Sequence, residues 1–166
     1  MKNEAVAKVR EAYLSFLLDE EVFAINVKKV LEVLQIQKIT KVPQTPTHLR
    51  GVTNFRGDIL PVVDSRTRLN LPTIEDSDKT IIIVLDMEHN NNKLLIGALA
   101  DSVKDVIQIA DDEILPVPEV GNKFDAEYLS GMYRYKDSFV MILNVDKVFS
   151  VNNLVTVANQ FVGIRN

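Results

Sequence analysis

Gly51-Val-Thr-Asn-Phe-Arg-Gly-Asp-Ile-Leu-Pro-Val-Val-Asp64 is a glycine-bounded polar turn that runs directly into an apolar strand, Ile59 to Val63. It holds no serine, cysteine, histidine or lysine. Its one arginine, Arg56, stands on the turn itself. An arginine held there is well placed to meet another protein, because its planar fork makes several directed hydrogen bonds and Arg is favoured at interface hot spots.

Outward from this stretch, the chain repeats itself. Leu49-Arg-Gly51, Phe55 and Ile59 to Asp64 align without gaps on Leu129-Ser-Gly131, Tyr135 and Phe139 to Asn144. Upstream, Val30-Leu-Glu-Val-Leu-Gln-Ile36 aligns on Val103-Lys-Asp-Val-Ile-Gln-Ile109, and Ile39-Thr-Lys-Val-Pro43 on Ile114-Leu-Pro-Val-Pro118. Further upstream, Tyr13 to Leu18 and Val22 to Ile25 flank a hairpin turn at Asp19-Glu20-Glu21. Ile81 to Leu85 and Leu94 to Leu99 flank a longer polar loop, Glu88-His-Asn-Asn-Asn92, so that both hairpins enter their turn through Leu-Asp (Leu18-Asp19 and Leu85-Asp86).

Four matches in one order imply a duplicated β unit. The expected fold is mainly β: two five-stranded barrels packed around a shared hydrophobic core, with closure protecting the sheet edges. The first barrel is expected at about residues 12–71 and the second at about 79–150, within one domain of 12–150. Leu71-Pro-Thr-Ile-Glu-Asp-Ser-Asp78 is the linker, acidic and carrying a strand-breaking proline. Short helical turns are expected at Thr45 to Gly51, with Pro46 in the first turn, and at Asp125 to Leu129. Leu154, Val157, Ala158 and Phe161 stand near helical spacing, which predicts a C-terminal helix or tail over 151–166.

Composition narrows the function. A chain of 166 residues buries roughly 70% of its unfolded surface and needs no staple to fold. Without cysteine there are no disulfides, thiol nucleophiles or thiolate metal sites. A net charge of −4 argues against nucleic acid, whose affinity comes from Lys and Arg on phosphates. Met1-Lys-Asn-Glu-Ala5 has no apolar stretch of a signal peptide behind its lysine. Apolar runs such as Ile81 to Leu85 fall far short of the ~20 residues that span a bilayer. Direct membrane insertion is therefore not expected.

Catalytic and metal chemistry find little footing. The two histidines, His48 and His89, have no ligand at metal spacing. There is no Gly-x-Ser-x-Gly elbow, no P-loop and no dinucleotide fingerprint. Asp111-Asp-Glu113 and the acids of the linker read as solvated turns. One constellation stands out: Val30, Glu32, Val33 and Arg56. On a regular strand Val30 and Glu32 share one face while Leu31 and Val33 take the other. The pattern fits the rim of a binding groove, and equally an ordinary half-buried strand. Arg56 could likewise simply pair with Asp58 or Asp64.

The opening stretch resembles the signature of the CheW family, the coupling proteins of bacterial chemosensory arrays, in its order Gly-Val-x-Asn-apolar-Arg-Gly-x-apolar-x-Pro-apolar-apolar-Asp. The likeness extends from about Tyr13 to Phe149. It implies two intertwined SH3-like five-stranded barrels, no enzymatic activity and no cofactor. It also implies a cytoplasmic protein, recruited through its partners to membrane arrays, where it couples chemoreceptor hairpin tips to the regulatory domain of the histidine kinase CheA. Carried over by motif position, Arg56 matches the receptor-contacting arginine, Val30 and Glu32 the groove residues, and Val33, Gly51 and Asn54 the same surface. Kinase contact is expected from Ile39, Lys41 and Val42, and a second contact from Glu119 and Val120, which would let domains close into rings that can include further copies of this chain. Phe55 stands where leucine is commoner, and Val120 replaces a frequent aromatic. Other readings are a coupling protein of a pilus-type or other chemosensory pathway, a detached kinase regulatory domain, or a small β-barrel hydrolase using Asp58 and Asp64.

Overall fold

The computed structural model describes residues 8–89, 91–118 and 126–149. Its strands are β1 (Arg10–Leu18), β2 (Glu21–Asn26), β3 (Val30–Gln35), β4 (Leu49–Phe55), β5 (Asp58–Asp64), β6 (Ile81–His89), β7 (Asn92–Ala100), β8 (Ser102–Ala110), β9 (Leu129–Tyr135) and β10 (Ser138–Leu143). Two one-turn helices, α1 (Ser65–Arg68) and α2 (Val145–Val148), follow β5 and β10. Each starts under a side-chain cap: Asp64 accepts from the Arg66 and Thr67 amides, and Asn144 from the Lys147 amide.

The strands form two five-stranded sheets, ordered β8-β1-β2-β10-β9 and β3-β6-β7-β5-β4. Under the internal repeat β8 corresponds to β3, β1 to β6, β2 to β7, β10 to β5 and β9 to β4. The two orders are therefore the same. The duplication is real, but the expected boundaries of 12–71 and 79–150 do not separate the sheets. The β1–β2 hairpin of the first half joins three strands of the second, and the β6–β7 hairpin joins three strands of the first. The cause is the repeat itself. Where two halves carry the same apolar pattern, pairing within a half and pairing between halves satisfy that pattern equally.

Three apolar clusters result. The largest lies between the sheets and gathers Phe16, Phe23 and Ile25 with Ile83, Leu85 and Phe149. A second, inside the first sheet, holds Tyr13, Ile107, Ile109 and Ile142. A third, inside the second sheet, holds Phe55, Leu60, Val62 and Leu99. Strand β6 feeds two of them, Ile81, Ile83, Leu85 and Met87 to the shared cluster and Ile82 and Val84 to the inner one. A strand covered on both faces has no polar alternation, which is why its run is continuously apolar.

The exchanged hairpin is tied down by charge. Arg66, 7% exposed, donates from Nε and Nη2 to the Asp101 carboxylate at 2.8 and 2.5 Å. Asp101 also accepts the Asp19 amide at 2.9 Å, so the β1–β2 turn is held against α1 of the other sheet. Nearby, Arg68 donates to the Val148 carbonyl at 2.6 Å and lies 5.0 Å over the Tyr128 ring, linking α1 to the end of α2.

Three local expectations change, and one short helical turn is found where expected. Strand β6 runs on to His89 and pairs with Asn92, so Asp86 opposes Leu95 within the ladder and does not enter a turn. Thr45 to Gly51 is no helix: a Leu49 amide to Pro46 carbonyl bond of 3.0 Å closes a turn there, and β4 begins at Leu49. Its counterpart forms a single 3₁₀ turn at Ala126–Tyr128. Ile39 to Pro43 and Ile114 to Pro118 are not full strands, each making only one bridge, Thr40 to Val52 and Leu115 to Met132. Asp125 and the predicted helix over 151–166 lie outside the described residues.

Candidate docking surface

Arg56 and Gly57 occupy the two central positions of the β4–β5 hairpin with φ of 53° and 83°. Two successive left-handed residues are the type I′ geometry that matches the twist of paired strands. Asn54 stabilises the turn, its Oδ1 accepting the Gly57 amide at 3.0 Å. The turn then presents the Arg56 guanidinium 4.8 Å above the Phe55 ring, with Nη2 2.5 Å from Glu32 Oε1. The pattern-based pairing of Arg56 with Asp58 or Asp64 is thus replaced by one with Glu32. Both partners remain solvent-accessible, their side chains 65% and 36% exposed. In isolation such a pair contributes ~0–1 kcal/mol to stability, too little to explain the geometry by folding alone.

Glu32 reaches Arg56 because β3 carries a bulge. Val30 opposes Leu85, but Glu32 opposes Val84, leaving Leu31 without a partner. A bulge reverses the alternation. Val30 and Glu32 therefore do not share a face, contrary to the regular-strand reading. Val30 packs on the shared cluster, and Val33, opposite Ile83, turns to that same side. Leu31 and Val33 are 44% and 38% exposed, so this edge strand also presents apolar side chains to solvent. Leu31 was not among the expected site residues, since nothing in the sequence marks the bulge.

Gly51 is buried and has a different role from the one expected. A Cβ there would overlap the Thr40 carbonyl oxygen and stand 2.9 Å from Ile39 Cγ2. Gly51 thus admits the segment after β3 to the free edge of β4, where Thr40 and Val52 exchange two hydrogen bonds of 2.8 Å. Gln37 spans the neighbouring gap with its side-chain amide, donating to Thr53 Oγ1 at 2.8 Å and the Asn54 carbonyl at 2.6 Å. Gly131 does the same in the other sheet, where a Cβ would meet Ile114 Cγ2 and the Leu115 carbonyl.

The remaining candidates separate from these. Ile39 packs into the inner cluster of the second sheet, Lys41 is exposed, and Val42 is half-buried with its carbonyl accepting from Thr45 Oγ1 at 2.8 Å. A groove of about 600 Å³ lies between this segment and the hairpin, lined by Lys38, Thr40, Val52, Asn54 and Ile59 among others. Glu119 and Val120 lie outside the described residues. Asp64, a candidate acid of the hydrolase reading, is committed to capping α1 and to Arg50 at 3.1 Å. Among the described residues no cluster of three His, Asp or Glu could hold a metal ion, and no helix is long and apolar enough to cross a membrane.

A family model described as the CheW-like domain matches residues 12–152. The chain belongs to the CheW family. It is 29% identical over 151 residues to the chemotaxis protein CheW of Klebsiella aerogenes, covering 91% of this chain and 89% of that one. Against CheW of Bacillus subtilis the identity is 31% over 147 residues, covering 87% and 90%. The crystal structure of the scaffolding protein TtCheW from Thermoanaerobacter tengcongensis superposes with a TM-score of 0.77 at 27% identity, covering 92% of this chain and 96% of that one. CheW proteins are scaffolds without catalysis, and this chain is accordingly a non-catalytic chemotaxis scaffold protein.

Proposed function

We propose that this CheW-family chain is a cytoplasmic adaptor that couples the hairpin tips of transmembrane chemoreceptors to the regulatory domain of the histidine kinase CheA. The observation that carries the reading is the Glu32–Arg56 pair, built on a bulge and a type I′ turn and exposed, on an edge strand that also exposes Leu31 and Val33. An apolar strip with charges at its edge suits the apolar face of a helix, the charges fixing register. The receptor surface is Val30, Glu32, Val33, Asn54 and Arg56 with Leu31 added, and Gly51 supports it from beneath.

The kinase surface is the segment Ile39, Lys41 and Val42, with Glu119 and Val120 as a second contact that lets chains close into rings. Support for a mechanical link comes from Gly51, which packs directly against Thr40. A shift at the β4–β5 turn would pass to the Ile39–Val42 segment through one backbone bridge. Separate calorimetric titrations with a receptor-tip fragment and with the CheA regulatory domain test this. Arg56→Ala should weaken the first about thirtyfold and leave the second unchanged, and Lys41→Glu should do the reverse. Equal effects of both variants on both partners would overturn the division into two surfaces.

A further inference from the structure

The two halves share an apolar pattern but not the charges at the points where the chain passes between sheets. Strand β2 lies parallel to β10 and β7 parallel to β5, with Ala24 opposite Ile142 in one sheet and Gly97 opposite Val62 in the other. These ladders match under the repeat, so Lys28, just past the end of β2, corresponds to Asp101, just past the end of β7. Helices α1 and α2 correspond as well, each opened by a capping side chain, Asp64 or Asn144. Two residues beyond those caps stand Arg66 and Asp146. On the helix and on the strand end alike, the counterpart of a cation is an anion.

Each helix is ion-paired with the strand end beside it, with the signs reversed. In the second sheet Arg66 of α1, 7% exposed, donates to Asp101 at 2.8 and 2.5 Å. In the first sheet Asp146 of α2 lies 3.5 Å from Nζ of Lys29, the neighbour of Lys28. The side chains of Lys29 and Asp146 are 40% and 66% exposed, so this pair contributes little to stability. Discrimination therefore rests on Arg66. If the first half paired with the first half of another copy, β2 would lie beside β5 and Lys28 would take the place of Asp101. The buried Arg66 would lose its carboxylate and meet a second cation. Two second halves would likewise set Asp101 against Asp146, a milder conflict in solvent.

We infer that the opposed charges at these two junctions select the pairing partner: each half accepts the other half and refuses the same half of a second copy. The apolar pattern cannot make this choice, because it is the same on both sides, and specificity is a difference of affinities. Breaking a buried ion pair disfavours the wrong partner by at least about a hundredfold.

The test reads pairing in the full chain, which has no cysteine of its own. Ala12 lies opposite Gln108, and Ile81, its counterpart on β6, lies opposite Gln35. Ala12→Cys with Gln108→Cys should therefore close a disulfide within one folded chain. Ala12 and Gln35 belong to different sheets, so Ala12→Cys with Gln35→Cys should join only two copies paired first half to first half. Both proteins are refolded from urea at about 0.1 mM, where linked halves at ~mM effective concentration leave room for intermolecular pairing. With the natural charges the second protein should give almost no covalent dimer. Lys28→Asp, Lys29→Ser and Asp146→Arg together reverse the exposed pair, keep both native junctions complementary, and offer Arg66 a carboxylate in either arrangement. Covalent dimer should then rise at least about tenfold. Lys28→Ala, Lys29→Ser and Asp146→Ala remove charge without offering that carboxylate, and should leave dimer low. As much dimer with natural or alanine-substituted junctions as with reversed ones overturns the inference. So does a reversed chain that closes the Ala12–Gln108 disulfide without added dimer, or that closes neither cross-link.

Discussion

Replacing Gly51 by alanine should loosen the whole edge of the second sheet. The added Cβ would overlap the Thr40 carbonyl oxygen and stand 2.8 Å from its carbon, a backbone group that cannot swing aside like a side-chain end. Two responses are open. Either the segment after β3 withdraws, breaking the two 2.8 Å bonds between Thr40 and Val52, each contributing about 0.5–1.5 kcal/mol net. Or it stays in place under overpacking strain of about 1–3 kcal/mol. Both give a loss of about 1–3 kcal/mol, which urea denaturation would read as a midpoint lowered by about 1 M at an m-value typical of small domains. Gly57→Ala is the control. No atom lies within 4 Å of its Cβ and only its φ of 83° is unfavourable, which costs about 1 kcal/mol. Hydrogen exchange should also speed up at the Thr40 and Val52 amides in Gly51→Ala alone. A Gly51→Ala protein no less stable than Gly57→Ala, with both amides still protected, would refute this account of the glycine.

Other outcomes follow from the same geometry. Arg56→Ala should leave the urea midpoint almost unmoved, since its ion pair is exposed, while receptor-tip affinity falls by about 2 kcal/mol, read by calorimetry. Asp101→Ala leaves the buried Arg66 with only Asp19 at 3.6 Å and the Pro72 carbonyl as partners, and should cost about 3 kcal/mol in a denaturation experiment. Burial, reinforced by Arg68, lowers the His48 pKa. The unfolded chain then takes up a proton first as pH falls through about 6.5, so the His48 contribution is present above that pH and lost below it. His48→Gln should flatten the stability–pH curve between pH 7.5 and 5.5, and an unchanged slope would exclude the residue as its source.

Strand existence was legible because burial on one face or two leaves a direct mark in the sequence. The repeat was legible for the same reason, and it correctly announced two equivalent five-stranded sheets. Partner choice was not legible, because Val30 to Ile36 and Val103 to Ile109 offer near-identical edges to either hairpin. The Arg56 turn was legible in part: Gly57 suits the second central position of a type I′ hairpin, while Arg56 at the first carries no such preference. The Glu32 partnership was not. It depends on one unpaired residue, Leu31, whose side chain gives no sign of a bulge. Gly51 was identified as significant, but two causes act there: its φ of 153° and the Thr40 carbonyl approaching from another segment both exclude a side chain.

The exchange of hairpins has a consequence for how the chain is made. The second sheet needs nothing beyond Ala100, so it can be completed while the C-terminal third is still being synthesised. The β1–β2 hairpin, made before the other strands of the fold, has no sheet to join until β8, β9 and β10 emerge. Phe16 and Phe23 therefore lack their own sheet until a segment some eighty residues downstream appears. The first-made hairpin of the fold is the last to find its place, and during that interval it is the part most open to chaperones. Two fragments cut within residues 72–78 should accordingly stay unfolded apart and recover the fold only on mixing, as a single repeat would if it paired with a copy of itself.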